Sequence, residues 1–269
     1  MNKLTFLFST KNFLFRIWQH RNTLWLMIER DFKSRYVGSF AGILWSIIHP
    51  LMLVFVYTLI FSLIFGRRIG ETPFALWLFC ALLPWIMFTE IVKGSAGVIE
   101  KNKNLITKTS FHSEILPLVV IGAAVTGHLI GFGVLISLLI LCGQSIGLYM
   151  LTIPFYLLCL ILFSLGLSWI VAALNVFIKD IGQAVNVVLQ LWFYLCPIIY
   201  PASIIPEKYY FMLRLNPMYF ITEGYRNALL NNKGIPVIDS LYFLGITLLL
   251  LFIGGWTFRR LKGQFAEIL

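Results

Sequence analysis

The sequence predicts an all-α integral membrane protein with six transmembrane helices, a surface helix ahead of them, and two short helices folded back between spans five and six. Three observations carry this. First, 59% of the 269 residues are hydrophobic and only 12% are charged, whereas a soluble domain carries roughly a quarter charged residues. Second, apolar runs recur along the chain, most of them near the roughly 20 residues a helix needs to cross hydrocarbon. Third, Lys and Arg gather at the ends of those runs, mostly on one side. A helix satisfies its own backbone hydrogen bonds, which leaves such runs few alternatives in lipid.

The chain divides into an interface segment at 1–35, a transmembrane domain at 36–260 and a tail at 261–269. The apolar stretch at 4–8 is shorter than the roughly 7–15 residues of a signal peptide, so no cleaved leader is expected. Over 14–28 one helical face carries Leu14, Ile17, Trp18, Leu24, Trp25 and Ile28, with Arg16, Gln19, His20 and Thr23 opposite; such a helix lies on a membrane surface. The run from Glu29 through Arg30, Asp31, Lys33 and Arg35 to Tyr36 cannot enter hydrocarbon. The six spans are expected at 40–65, 74–91, 115–141, 151–170, 185–200 and 241–258. The fifth is short, and flanking residues should extend it.

Six spans put both termini on one side. That side holds fifteen Lys and Arg, seven of them before the first span, against six on the other, including Arg67 and Arg68. The positive-inside rule then makes both termini cytoplasmic. The outer segment 203–234 is rich in Tyr, Phe, Leu and Met and is broken by Pro206, Asn216-Pro217 and Gly234. It reads as two short helices folded against the membrane or a pore mouth. Asn216 suits an N-cap, with Pro217 in the first helical turn.

Several function classes are excluded. The formal charge of +10 is scattered and forms no stripe for nucleic acid. Cys80, Cys142, Cys159 and Cys196 make no close pair for zinc or redox work, and the four histidines never fall at the i, i+4 spacing of a helical zinc site. No Gly is followed by Lys, so a nucleotide-binding P-loop is missing. Gly143-Gln144-Ser145-Ile146-Gly147 matches a hydrolase pattern but reads as the turn between spans three and four. His49 beside Pro50 reads as a neutral His in a kinked helix, with a proton relay as the sharper alternative. Gly127 and Gly131 give span three a small-residue face suited to internal packing, with dimerisation as the alternative. Glu90 and Lys93 are spaced to pair on one helix face.

Aromatic residues make up 16% of the chain. Trp18, Trp25, Trp77, Trp85 and Trp256 fit an interfacial belt. Trp45 and Tyr57 in span one, and Trp192, Phe193 and Tyr194 in span five, lie deeper. Flat rings there would let sugar C–H faces stack and slide through a passage, while helix packing explains any single ring equally well.

The chain resembles the membrane subunits of ABC-2 type transporters that export O-antigen, capsular polysaccharide or teichoic acid. The resemblance rests on Arg30 to Tyr36, then Ser39, Gly42, Trp45, Pro50-Leu51, Val56-Tyr57 and Phe61-Ser62. It continues through Leu83-Pro84-Trp85, Asn104 to Lys108, Glu114 to Pro117, Pro197 to Pro201, Asn216-Pro217 and Arg226. Ala81, His112 and Lys179 depart from the usual Gly, Pro and Arg; Lys179 keeps the charge without the planar fork.

The resemblance implies a permease in the bacterial inner membrane that works as a homodimer with two copies of a separate ATP-binding subunit, which holds ATP and Mg. The permease itself would be no enzyme and carry no cofactor. Its cargo would be a glycan on a polyprenyl diphosphate, with Arg30, Lys33 and Arg35 at the headgroup entrance; membrane anchoring is their equal alternative. Lys101, Lys103, Asn104 and Lys108 would meet the ATPase, and Tyr200, Asn216, Pro217 and Arg226 would belong to an outer gate. Alternatives are an exporter of a drug or small lipid, a membrane-embedded glycosyl or phosphoglycosyl transferase, and an interaction-only scaffold.

Overall fold

A computed structural model describes residues 18–35, 40–65, 68–69, 72–108 and 111–269. The expectations for residues 1–17, Tyr36, Ser39 and Arg67 lie outside these. Helix α1, Arg21–Ser34, does not stop at 28 but runs through the charged segment. Two i, i+4 ion pairs, Glu29 with Lys33 and Asp31 with Arg35, explain why charge there continues the helix. Trp18, Trp25 and Leu26 face outward, while Met27 and Phe32 are buried.

Helix α2, Trp45–Phe65, follows a 3-10 turn at Gly42–Leu44 and leads away from α1. A two-residue hairpin, β1 (Arg68–Ile69) against β2 (Thr72–Pro73), returns the chain into α3, Phe74–Ala96. Short helices α4, Val98–Lys101, and α5, Lys103–Lys108, fill the connection to α6, Leu116–Leu141. A turn at positive-φ Gly143 ends α6. Ser145 lies in irregular backbone between helices and not at a strand-to-helix elbow.

Helix α7, Ile153–Phe177, is followed by α8, Asp180–Leu195. The remaining helices are α9, Tyr210–Leu215; α10, Pro217–Leu229; α11, Val237–Leu261; and α12, Phe265–Ile268.

Five segments among the described residues are long and apolar enough to cross a bilayer: Gly42–Phe61, Phe74–Ala96, Ser113–Leu141, Leu148–Phe177 and Val237–Ile268. The fifth expected span, 185–200, is displaced: α8 begins at Asp180 and ends at Leu195, 16 residues long. Asp180 favours a helix N-terminus, and Pro197 stops the chain from staying helical beyond Cys196.

Helix α3 is the axis of the bundle, with most of its residues buried between α6, α7, α8 and α10. Helices α7 and α11 form the most extensive pair. They approach so closely that a Cβ at Gly166 would lie 2.7 Å from the Leu250 carbonyl carbon, and one at Gly254 would strike the Gly166 carbonyl. Gly131 similarly accommodates Leu83 of α3, so that glycine serves internal packing.

A second core joins one end of the bundle, where Met27, Ile99, Leu116, Val120, Phe258 and Phe265 meet. There α1, the α4–α5 connection and the C-terminal α12 converge; this is the basic end below, and residues 196–236 form the far end.

Candidate functional site

At the basic end a chain of charges ties α1 to its surroundings. Asp31 takes Arg35 at 3.2 Å through one carboxylate oxygen and Lys101 at 3.2 Å through the other. The free edge of Arg35 reaches Glu90 on α3 at 3.1 Å. Arg30 donates to Asn102 at 3.3 Å, Lys179 pairs with Glu100 at 3.4 Å and Lys262 with Glu114 at 3.0 Å. Exposed pairs of this kind contribute about 0–1 kcal/mol each, so their chief effect is to set the position of α1 against α4. Glu90 therefore pairs across the fold with Arg35, and the pairing with Lys93 suggested by spacing is not its contact.

Of the three entrance candidates, Arg35 is engaged on all three nitrogens and Lys33 is paired with Glu29 at 2.6 Å. Arg30 lines a groove with Lys101 and Asn104 between α1 and the α4–α5 connection, and Lys103 and Lys108 are exposed on α5.

The five deep aromatic candidates separate by exposure. Phe193 is buried between Trp85 and Tyr57, each with ring centroids 5.7 Å away. Trp192 sits edge-on to Phe88 and is fixed by its indole N–H, which donates to Asn216 Oδ1 at 2.9 Å. Trp45 and Tyr194 are exposed, and Tyr57 is half-buried. Trp77 and Trp85, which fit an interfacial belt by sequence, are instead buried in the core. The arrangement of α8 explains the split: Leu189 and Phe193 turn inward, while Gln183, Asn186, Gln190 and Tyr194 recur at intervals of three and four and are all exposed. That polar row was legible as a helical stripe and is missed when rings alone are sought.

At the far end Asn216 caps α10: its side chain accepts from Met218 N–H at 3.1 Å, with Pro217 in the first turn. The same amide donates to the Leu195 carbonyl at 3.3 Å, so one residue joins the end of α8 to the start of α10. Tyr200 Oη donates to the Tyr194 carbonyl at 3.0 Å.

Arg226 is not on the surface, where its place outside the spans suggested it. It is 1% exposed. Its guanidinium donates to the carbonyls of Trp77 at 3.2 Å, Pro197 at 2.6 Å and Ile198 at 2.8 Å, and to Glu223 at 2.6 Å. It also lies 3.4 Å from the centroid of the Trp77 ring. Burial pulls this group below its ordinary value and the neighbouring Glu223 opposes the shift, so the ion pair keeps it charged. A planar fork with five N–H groups is needed to join three separate carbonyls in this way. Beside it, Tyr225 reaches His128, half-way along α6, at 3.0 Å.

A multi-span bundle with a charged, loop-built face at one end and a capped, buried-arginine assembly at the other defines a polytopic membrane protein. The chain belongs to the ABC-2 type transporter family, whose model matches residues 22–230. It is 32% identical over 254 residues to the O-antigen export system permease protein RfbA of Myxococcus xanthus, covering 93% of this chain and 96% of that one. It is 31% identical to a protein of the same name from Klebsiella pneumoniae, covering 91% and 93%. It is 25% identical to the polysialic acid transport protein KpsM of Escherichia coli, covering 88% and 92%.

Proposed function

We propose that this chain is the permease of an ABC exporter that carries a lipid-linked polysaccharide of O-antigen or capsule type across the bacterial cytoplasmic membrane, driven by a separate ATPase that binds ATP and Mg. The observation that carries the reading is the exposed row of Gln183, Asn186, Gln190 and Tyr194 on α8. Polar side chains on a membrane helix avoid lipid and face a partner or a watery passage. With Trp45 and Tyr57 on the largely exposed α2, they supply the hydroxyls, amides and ring faces a sliding sugar chain needs. The names of the relatives support the cargo class.

In this reading two copies of the chain enclose the passage, and two ATPase copies dock on the groove between α1 and α4–α5, near Lys101, Lys103, Asn104 and Lys108. Helix α8 is the fifth crossing and brings the total to six, lengthened by residues 196–201. Both termini are cytoplasmic, in keeping with the excess of Lys and Arg at the basic end. Helices α9 and α10, with Tyr200, Asn216, Pro217 and Arg226, form an outer re-entrant gate. The reach of Tyr225 to the middle of α6 supports that placement.

The test uses Gln190→Cys in a Cys142→Ser background, co-expressed with the partner ATPase. A membrane-impermeant thiol reagent should label it and halt export, while Leu189→Cys, on the buried side, stays unlabelled. Labelling of Gln190→Cys only by a lipid-soluble reagent would place the row against lipid and refute the passage.

A further inference from the structure

Between α2, α3 and α6 lies a cavity of about 440 Å³ with no assigned occupant. Its rim is the Arg35–Glu90 pair, one cation beside one carboxylate; behind it Arg35 also holds Asp31, which Lys101 shares from outside the cavity. Leu83, Ile86 and Met87 give it an apolar wall, and Ser46 and His49 continue a polar lining inward from α2. At the inner end stands His128, 4% exposed. Its Nε2 meets Tyr225, and its Nδ1 makes no hydrogen bond that satisfies distance and angle together, the Leu83 backbone being its nearest polar neighbour. A buried polar nitrogen left unpaired costs about 1–3 kcal/mol, and native proteins rarely leave one so.

We propose that this cavity binds one glycerophospholipid with a phosphoethanolamine headgroup, taken from the leaflet at the basic end. Neither anionic nor cationic headgroups suit the rim. A phosphate alone gains Arg35 but meets Glu90, and an ammonium alone gains Glu90 but meets Arg35. A headgroup carrying both charges inserts into the Arg35–Glu90 bond, its phosphate taking the Arg35 Nη1 that Glu90 gives up and its ammonium taking Glu90, so that each new bond is charge-assisted. The glycerol ester oxygens then supply polar acceptors towards His49 and His128, and the first carbons of an acyl chain cover Leu83, Ile86 and Met87. The lipid joins α1 to α2, α3 and α6. The same charge rule keeps a diphosphate carrier out, so the site is separate from any route of the transported substrate and does not depend on which substrate that is.

The experiment purifies the permease with its ATPase and measures co-purifying lipid by mass spectrometry. It also measures melting in nanodiscs made with phosphatidylethanolamine or with phosphatidylglycerol. Wild type should retain one phosphoethanolamine lipid per permease chain and melt higher in phosphatidylethanolamine. Gly127→Leu fills the cavity: a Cβ there meets only the Phe32 ring edge, at 4.0 Å. It should lose both the lipid and the lipid-dependent melting. Glu90→Gln removes an ammonium partner and should shift selectivity towards the anionic lipid by about tenfold, the change expected for roughly 1.4 kcal/mol.

Equal retention of both lipids by wild type would overturn the proposal, as would unchanged retention in both variants. Recovery of a polyprenyl diphosphate in place of the phospholipid would also overturn it and make the cavity part of the substrate route. If Gly127→Leu fails to accumulate, the headgroup selectivity of wild type and Glu90→Gln decides alone.

Discussion

Replacing Arg226 by Ala should destabilise the protein more than any surface charge change, and the size of the effect follows from its contacts. Three backbone carbonyls, of Trp77, Pro197 and Ile198, lose a charged donor in a place the rest of the protein shields. Leaving a buried acceptor unsatisfied costs about 1–3 kcal/mol, and a desolvated cation over an indole ring adds about 2 kcal/mol. Glu223 is part-exposed and recovers some of its loss through water. A total of about 5 kcal/mol lies within the range for removing one member of a buried charge network. For a chain of this size each kcal/mol moves Tm by about 2–4 °C, so Arg226→Ala should melt about 10–20 °C lower.

Arg226→Lys keeps the charge but offers a single ammonium to acceptors set around a planar fork, and should lose about half as much. The chain contains its own reporter: Cys80, Cys159 and Cys196 are buried and Cys142 is exposed. A thiol-reactive dye therefore gives a baseline from Cys142 and a melting step from the other three. Melting of Arg226→Ala within about 3 °C of wild type, less than 2 kcal/mol of change, would refute the claim that this residue holds the far end together.

Two further outcomes follow from the packing. Gly254→Ala places a methyl group against the Gly166 carbonyl and should force α11 off α7, costing about 1–3 kcal/mol or more; Gly245→Ala, with nothing within 4 Å of its Cβ, should instead leave stability unchanged or raise it by up to about 1 kcal/mol. Asn216→Ala removes the cap of α10, about 1 kcal/mol, and leaves the Trp192 indole N–H without its acceptor, so the dye melt should fall by roughly 2–3 kcal/mol in all; Asn216→Asp keeps both acceptor bonds but sets a carboxylate oxygen against the Leu195 carbonyl, and should recover only part of it.

The membrane class, the five long apolar helices, the Asn216 cap and the turn at Gly143 were legible because each depends on local chemistry: apolar length, a short polar side chain before proline, a glycine at positive φ. What the sequence misled on depends on contacts across the chain. The charged run at 29–35 reads as a break, yet its own i, i+4 pairs continue the helix. Arg226 reads as a residue of the outer gate helices with nothing to mark its burial, because its carbonyl partners lie 28 to 149 positions away. Trp77 and Trp85 read as belt residues because a tryptophan in an apolar run gives no sign of whether lipid lies beside it or, as here, Arg226 of α10 for Trp77 and Trp192 and Phe193 of α8 for Trp85. Within α8, ring chemistry drew notice to Trp192 and Phe193, which point inward, while the plainer row of Gln and Asn shares the outward face with Val187, Val188 and Leu191.

The two ends of the bundle differ in how firmly they are held, and this bears on how the proposed exporter moves. At the basic end α1 packs Met27 and Phe32 inward, and its polar contacts are ion pairs of about 0–1 kcal/mol each. They can exchange partners when a subunit docks or hydrolyses ATP. At the far end α10 is joined to the start of α3 and to residues 197–198 through one buried cation, at a cost of about 5 kcal/mol to separate. Opening there cannot proceed by pulling α10 away from α3; the two must move together. The segment 201–215 fits the remaining freedom, with Pro201 and Pro206 breaking its helices and Tyr209, Phe211 and Met212 exposed. Asn216 fastens that segment at its end, to Leu195 and Trp192 on α8. In the proposed exporter a displacement of α8 would therefore be passed to α10 through Asn216, which would make α8, and not the far-end loop, the element that couples the proposed passage to its proposed outer closure.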